Sequence, residues 1–163
     1  MFKKNVLFVL SALVLLWACG GGESETLKEI NLLPFGMSIS VMAPADTVIQ
    51  GGTIGDMGDV LINSKDSNST YDVQIYSFPA SVIDVPAIVK EGKELIQADS
   101  SFTKFVEEVP AGFVYEYDID GVIGFDFRYF KIQGSTQYTF QTGLGKFHTE
   151  AATKNMFKAI RKD

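Results

Sequence analysis

The chain has 163 residues, room for one domain of ordinary size, and its composition (46% hydrophobic, 12% aromatic, 21% charged) is that of a folded protein, which excludes disorder as its general state. Fourteen Lys and Arg face 20 Asp and Glu, a formal charge of −6; without Lys3 and Lys4 at the extreme N-terminus, 12 face 20, or −8. So acidic a chain has no electrostatic footprint for nucleic acid.

The first element is an address. Lys3 and Lys4 precede an apolar run, Val6 to Leu16, interrupted only by Ser11. A run of this length is too short to span a bilayer, which takes about 20 residues, and fits the core of a signal peptide. Leu16-Trp17-Ala18-Cys19 and three glycines follow. This resembles the lipobox of bacterial lipoproteins, with the bulky Trp17 as its one departure. The resemblance implies that residues 1–18 are removed and that Cys19 becomes the acylated (palmitate-bearing) first residue of an envelope protein. That protein would be lipid-anchored in the bacterial cell envelope, at the outer membrane, periplasmic or surface-facing. One acyl chain binds membranes only marginally, whereas the three chains of a mature lipoprotein anchor it permanently. Cys19 is the only cysteine, so no internal disulfide, thiol pair or cysteine-based metal site forms. Residues 19–29, with Glu23, Glu25 and Glu29, read as a flexible tether reaching roughly 18 Å. Residues 30–163 read as a single domain.

Within it, Met37, Ile39 and Val41 alternate with Ser38 and Ser40, the period of a half-buried strand ending at Pro44. Gly51-Gly52-Thr53-Ile54-Gly55-Asp56-Met57-Gly58-Asp59 reads as a mobile loop between strands. Its spacing matches no phosphate-binding pattern, and its aspartates would repel phosphate. Gly55, Asp56, Gly58 and Asp59 therefore form a candidate partner-binding loop, since exposed loops on a rigid sheet often carry recognition. Val60 to Asn63 and Tyr71 to Phe78 are two more strands, joined by the turn-rich 64–69.

A helix follows Asp84, with Pro86 in its first turn and Val85, Ile88, Val89, Leu95 and Ile96 as its apolar stripe. Gly92 falls on the buried face, where an internal glycine costs about 1 kcal/mol relative to Ala and so predicts a close crossing. Four strands come next: Phe102 to Glu108, Gly112 to Ile119, Ile123 to Ile132 and Thr136 to Thr142. Opposing aromatics to aromatics, a three-residue loop ending at Gly121 pairs Tyr115 with Phe125 and Phe113 with Phe127. A Gln133-Gly134 turn then pairs Tyr129 with Tyr138 and Phe127 with Phe140, giving one aromatic face across three strands. A last helix runs from about Thr149 to Arg161, with Ala152, Met156 and Ile160 inward.

These elements define an α+β fold, a twisted antiparallel sheet of about six or seven strands covered by two helices. The order is similar to that of the PsbP-like α/β sandwich family. The resemblance rests on Phe35-Gly36-Met37-Ser38-Ile39-Ser40-Val41 before Pro44, the helix after Asp84, and the Tyr138-to-Phe140 strand before a C-terminal helix. It implies a fold and no particular function, because that family's members share none.

Candidate chemistry is sparse. His148 is the only histidine, no G-x-S-x-G accompanies it, and it reads as a surface residue before the last helix. Glu116-Tyr117-Asp118-Ile119-Asp120-Gly121 begins like a calcium loop, but its twelfth position is Phe127 where a bidentate Glu is needed. Glu116, Asp118 and Asp126 read as one solvated hairpin face balanced by Arg128; two of them at glycosidase spacing would be the enzymatic alternative. Asn68-Ser69-Thr70 and Asp46-Thr47-Val48 match short N- and O-glycan acceptor patterns. No catalytic residue, metal or cofactor is expected. Two functions remain: a non-catalytic domain that binds an envelope protein partner, or a small-ligand binder using a groove of Tyr115, Tyr117, Tyr129 and Tyr138 between sheet and helix.

Overall fold

A computed structural model describes residues 26–66 and 69–161 of the chain. Cys19, the segment before it and Asn68 lie outside the described residues. In chain order the elements are β1 (Leu27–Asn31), β2 (Ser40–Pro44), β3 (Thr47–Ile54), β4 (Met57–Ser64), β5 (Asp72–Pro79), α1 (Val85–Gln97), β6 (Phe102–Val109), β7 (Gly112–Ile119), β8 (Val122–Gln133), β9 (Thr136–Thr142) and α2 (Glu150–Ile160). The fold is α+β. Strands β3 to β9 form a seven-stranded sheet ordered β3-β4-β5-β9-β8-β7-β6, antiparallel throughout, and β1 and β2 pair as a separate ribbon.

The two helices cover opposite faces. Beneath α2 and the β1–β2 ribbon lies the larger core, where Val60, Ile62, Val73, Ile75, Phe127 and Phe140 meet Met37, Met156 and Phe157. Beneath α1, Ile88 packs with Phe113, Tyr115 and Phe130. Thr149 caps α2 by accepting the Ala152 amide on its hydroxyl, which satisfies one of the orphan donors of a helix start. Gly92 lies where α1 crosses β8: a Cβ there would sit 2.8 Å from Phe130 Cζ. Leu95, assigned to the buried stripe, is instead 68% exposed.

Several expectations give way. Leu27, Lys28 and Glu29, read as the end of the tether, begin β1. The glycine-rich stretch 51–59 is a β-hairpin with a tight Gly55–Asp56 turn. Its glycines mark close approach: Gly51 has φ +100° and its Cβ would overlap the Asp59 carbonyl, while at Gly58 a Cβ would strike Ser77 Oγ and Met37. The β7–β8 turn has two residues, Asp120 (φ 54°) and Gly121 (φ 83°), so Tyr115 opposes Asp126 and Phe113 opposes Arg128. Both positive φ values belong to the turn type that matches strand twist. The β8–β9 turn is Gly134–Ser135, which pairs Tyr129 with Phe140 and Lys131 with Tyr138. The aromatics are therefore divided between the faces: Phe113 and Tyr115 lie under α1, Phe127 and Tyr138 under α2.

Candidate functional site

The site forms where one end of the sheet meets the C-terminus of α1 and the loop from β9 to α2. Its foundation is Asp126 on β8, a carboxylate with 9% exposure. Asp126 Oδ1 accepts from the Phe127 amide (2.7 Å), the Thr142 amide (2.9 Å) and the Thr142 hydroxyl (2.7 Å). Its Oδ2 accepts from the Tyr115 hydroxyl (2.9 Å) and from Arg128 (2.5 Å). Five donors occupy the lone pairs of one carboxylate, so it ties β7, β8 and the end of β9 together and has no acceptor site left for a substrate proton.

The neighbours titrate accordingly. Burial, followed by the adjacent Asp126 charge, pushes the Tyr115 phenol far above its ordinary value, and the same two causes raise Tyr117. Burial works against the Arg128 cation, but the Asp126 carboxylate, helped by Tyr115 and Tyr76, outweighs it and the guanidinium is held more firmly protonated. These tyrosines stay neutral donors. The opposition of Tyr115 to Asp126, which aromatic pairing rules disfavour, is thus the hydrogen bond around which the end of the sheet is built.

Above Asp126 opens a cavity of about 220 Å³. Ile96 and Phe102 line one side, Tyr115, Tyr117 and Ile119 the floor along β7, and Thr142 to Lys146 the far wall. Polar groups at its mouth are already engaged. Asp99 Oδ1 accepts from the Ser101 amide and hydroxyl (2.8 Å each), which holds its carboxyl below the usual range. Lys146 Nζ lies 2.9 Å from Asp72 Oδ2. The rim, by contrast, is apolar and exposed: Ile119 47%, Val122 49%, Leu144 71%, Phe147 52%. Val122 pairs with Ile119 across the hairpin, and the Phe147 ring packs 5.9 Å from Tyr117.

Behind the far wall, Asp72 and His148 are both buried, with His148 Nε2 3.8 Å from Asp72 Oδ2. His148 was expected at the surface. Its backbone instead bridges to Phe125, whose amide donates to the His148 carbonyl, and this draws it inward. Burial pulls its pKa down, and Asp72 partly opposes that.

Of the four tyrosines assigned to a groove, Tyr115 and Tyr117 line the cavity. Tyr129 and Tyr138 pack in the core beneath α2, on the other side of the sheet, because the register puts them there. Gly55 and Asp56 form a turn at the opposite end of the strands, Gly58 is buried in β4, and Asp59 Oδ1 accepts from Gln74 (2.7 Å). These four are part of a hairpin and not of a mobile loop. Glu116 pairs with Lys104 at 3.1 Å on the face opposite Asp126, so the two carboxylates do not share a face and Asp126 is not solvated. The Thr47 hydroxyl is engaged with the Pro44 carbonyl.

Sequence reasoning passed over Asp99, Ile119, Leu144, Lys146 and Phe147. A signal was present in Gly143-Leu144-Gly145-Lys146-Phe147, where two large apolar residues sit in a glycine-rich connection with no periodicity to bury them. Among the described residues no three His, Cys, Asp or Glu side chains converge as a metal site, and no helix is long and apolar enough to cross a membrane. Comparison with known protein families, curated proteins and solved structures gives no match to this chain.

Proposed function

We propose that this chain is a bacterial envelope lipoprotein, acylated at Cys19, whose domain is a non-catalytic module that grips a protein partner at the cavity end of its sheet. The observation that carries this reading is the size of the cavity relative to its rim. At about 220 Å³ it is smaller than the roughly 300–1,000 Å³ of pockets for drug-sized ligands. It suits one bulky side chain. Four large apolar residues stand exposed around it, as they do around an anchor pocket whose rim excludes water on binding.

Geometry also links the site to the anchor. Leu27 pairs with Pro44, Thr47 with Ser64 and Val73 with Thr142, so β1 starts at the end of the sheet where the cavity opens. Seven residues separate Cys19 from Leu27, a span of at most about 25 Å. The partner would therefore be held close to the membrane. The small-ligand alternative keeps only Tyr115 and Tyr117 of its four tyrosines.

The test is co-purification from detergent-solubilised membranes of the full acylated chain, alongside Leu144→Asp and Cys19→Ala. The reading expects a stoichiometric partner that Leu144→Asp loses, and fatty-acid labelling that Cys19→Ala loses. A partner retained by Leu144→Asp would place the interface elsewhere, and labelling retained by Cys19→Ala would sink the lipobox.

A further inference from the structure

Most of the polar side chains lining the cavity are engaged with one another or with the residues behind its walls. Tyr115 and Thr142 donate to Asp126, Ser101 donates to Asp99, and Lys146 pairs with Asp72. Two groups are left over. One is the second carboxylate oxygen of Asp99, which stands exposed at the mouth. The other is the Tyr117 hydroxyl, which has no hydrogen-bond partner among the described residues. Its position is set by a missing side chain. Gly124 on β8 opposes Tyr117 on β7, and a Cβ there would overlap the phenol end of the ring. The ring therefore lies across β8 and carries its hydroxyl toward β9 and the Thr142-to-Lys146 wall. Three of the lining residues, Phe102, Tyr115 and Tyr117, are aromatic, and Phe147 at the rim packs 5.9 Å from Tyr117.

We infer that the side chain received here is an aromatic one with a neutral hydrogen-bonding tip, a tyrosine or tryptophan of the partner protein, and that the Tyr117 hydroxyl reads the tip. The inference rests on the protein-binding reading above and deepens it. An aromatic guest gains from aromatic walls beyond the area it buries, and a buried Tyr O–H or Trp N–H requires a partner. A hydroxyl both donates and accepts, so Tyr117 serves either tip, and burial with the Asp126 charge keeps it protonated in that role. A phenylalanine or leucine would fill the same space but strip water from the Tyr117 hydroxyl and return nothing. A charged tip finds no free counter-ion deep in the cavity, because Asp126 is paired with Arg128 and Lys146 with Asp72.

The test uses the full acylated chain in neutral detergent, with detergent micelles alone as the blank. The probes are three labelled twelve-residue peptides of Gly and Ser around a central Tyr, Phe or Leu, of which the first two differ only in the tip. In fluorescence polarisation the Tyr peptide should bind about three- to tenfold more tightly than the Phe peptide, the scale of one neutral hydrogen bond, and the Leu peptide should be the weakest. Tyr117→Phe, which keeps the ring, should erase the advantage of Tyr over Phe while the Phe peptide still binds, with thermal melts confirming the fold. Equal binding of the Tyr and Phe peptides, or a Tyr preference that survives Tyr117→Phe, would overturn the reading of the tip. Equal binding of the Leu and Phe peptides would overturn the aromatic guest. If Leu144→Asp abolishes binding in any of these cases, the anchor pocket stands without the inference. Binding of no peptide, or binding that Leu144→Asp leaves intact, would remove the pocket and the inference with it.

Discussion

Replacing Asp126 by Ala should be among the most damaging single changes in the domain. It strands five donors at once: the amides of Phe127 and Thr142, the hydroxyls of Thr142 and Tyr115, and the Arg128 guanidinium. Removing one partner of a buried ion pair costs about 3–5 kcal/mol, and a stranded neutral donor about 1–3 kcal/mol more unless water reaches it. The cavity lets water reach part of the gap, so we expect a net loss of about 4 kcal/mol, a large fraction of the roughly 5–15 kcal/mol that holds a domain folded. At this size that lowers Tm by about 15 °C. Urea unfolding should show a reduced midpoint at constant m, and amide exchange should show Thr142 losing protection. Tyr115→Phe, which removes one of the five donors, should cost about 1 kcal/mol. Combined with Asp126→Asn, it should show a coupling of about 0.5–3 kcal/mol, because the two side chains share the bond. A cost below 1 kcal/mol for Asp126→Ala would refute the view that this carboxylate holds the end of the sheet together.

Three further outcomes follow from single positions. Gly121 has φ 83° and nothing near its Cβ, so Gly121→Ala isolates backbone strain and should cost about 1–2 kcal/mol in chemical denaturation; a neutral result would argue against the two-residue turn. Gly92→Ala gains about 1 kcal/mol of helix propensity but presses on Phe130, and overpacking costs about 1–3 kcal/mol, so a net destabilisation of about 1 kcal/mol is expected and a stabilised variant would disprove the tight crossing. His148 is held neutral by burial, with Asp72, Asp126 and Lys146 facing it, so its folded pKa lies below the unfolded value of about 6.5. The unfolded chain then binds more protons: stability is full above about pH 6.5 and falls as pH drops below it, until the folded pKa is reached. Midpoints measured between pH 7.5 and 5 should fall less steeply in His148→Gln; an unchanged slope would refute this account.

How much was legible varied with the kind of signal. Strands with clean alternation, β5 to β9, and the helices that follow Asp84 and Thr149 showed through because period and punctuation agree there, although the Asp84 side chain makes no capping hydrogen bond and the strand read from Met37 begins only at Ser40. The β3–β4 hairpin did not, because Gly51, Gly52, Gly55 and Gly58 carry two messages in one letter: Gly55 makes a turn, whereas Gly58 lets Ser77 and Met37 come close. Register failed for a related reason. Pairing aromatics with aromatics is sound for half-buried faces, but Tyr115 has a hydroxyl, and that hydroxyl selected Asp126. Asp72, Asp126 and His148 were beyond reach, since a polar residue in a sequence looks the same whether it meets water or five protein donors.

The pairing of β5 with β9 is the one join in the large sheet between strands that are not successive hairpin neighbours. Everything else is stitched locally, so the sheet is two meanders, β3 to β5 and β6 to β9, sewn along a single line. The exposed connection before α1 could be cut there, and two fragments should reassemble when mixed, because each keeps its own hairpins. The same seam sets a vulnerability. β5 is complete at Pro79 but has no neighbour on that side until Thr136 to Thr142 exist, a wait of about 3–13 s at ordinary synthesis rates. For that interval an eight-residue strand with an open edge, Asp72 to Pro79, is the part of this chain most ready to join the wrong neighbour.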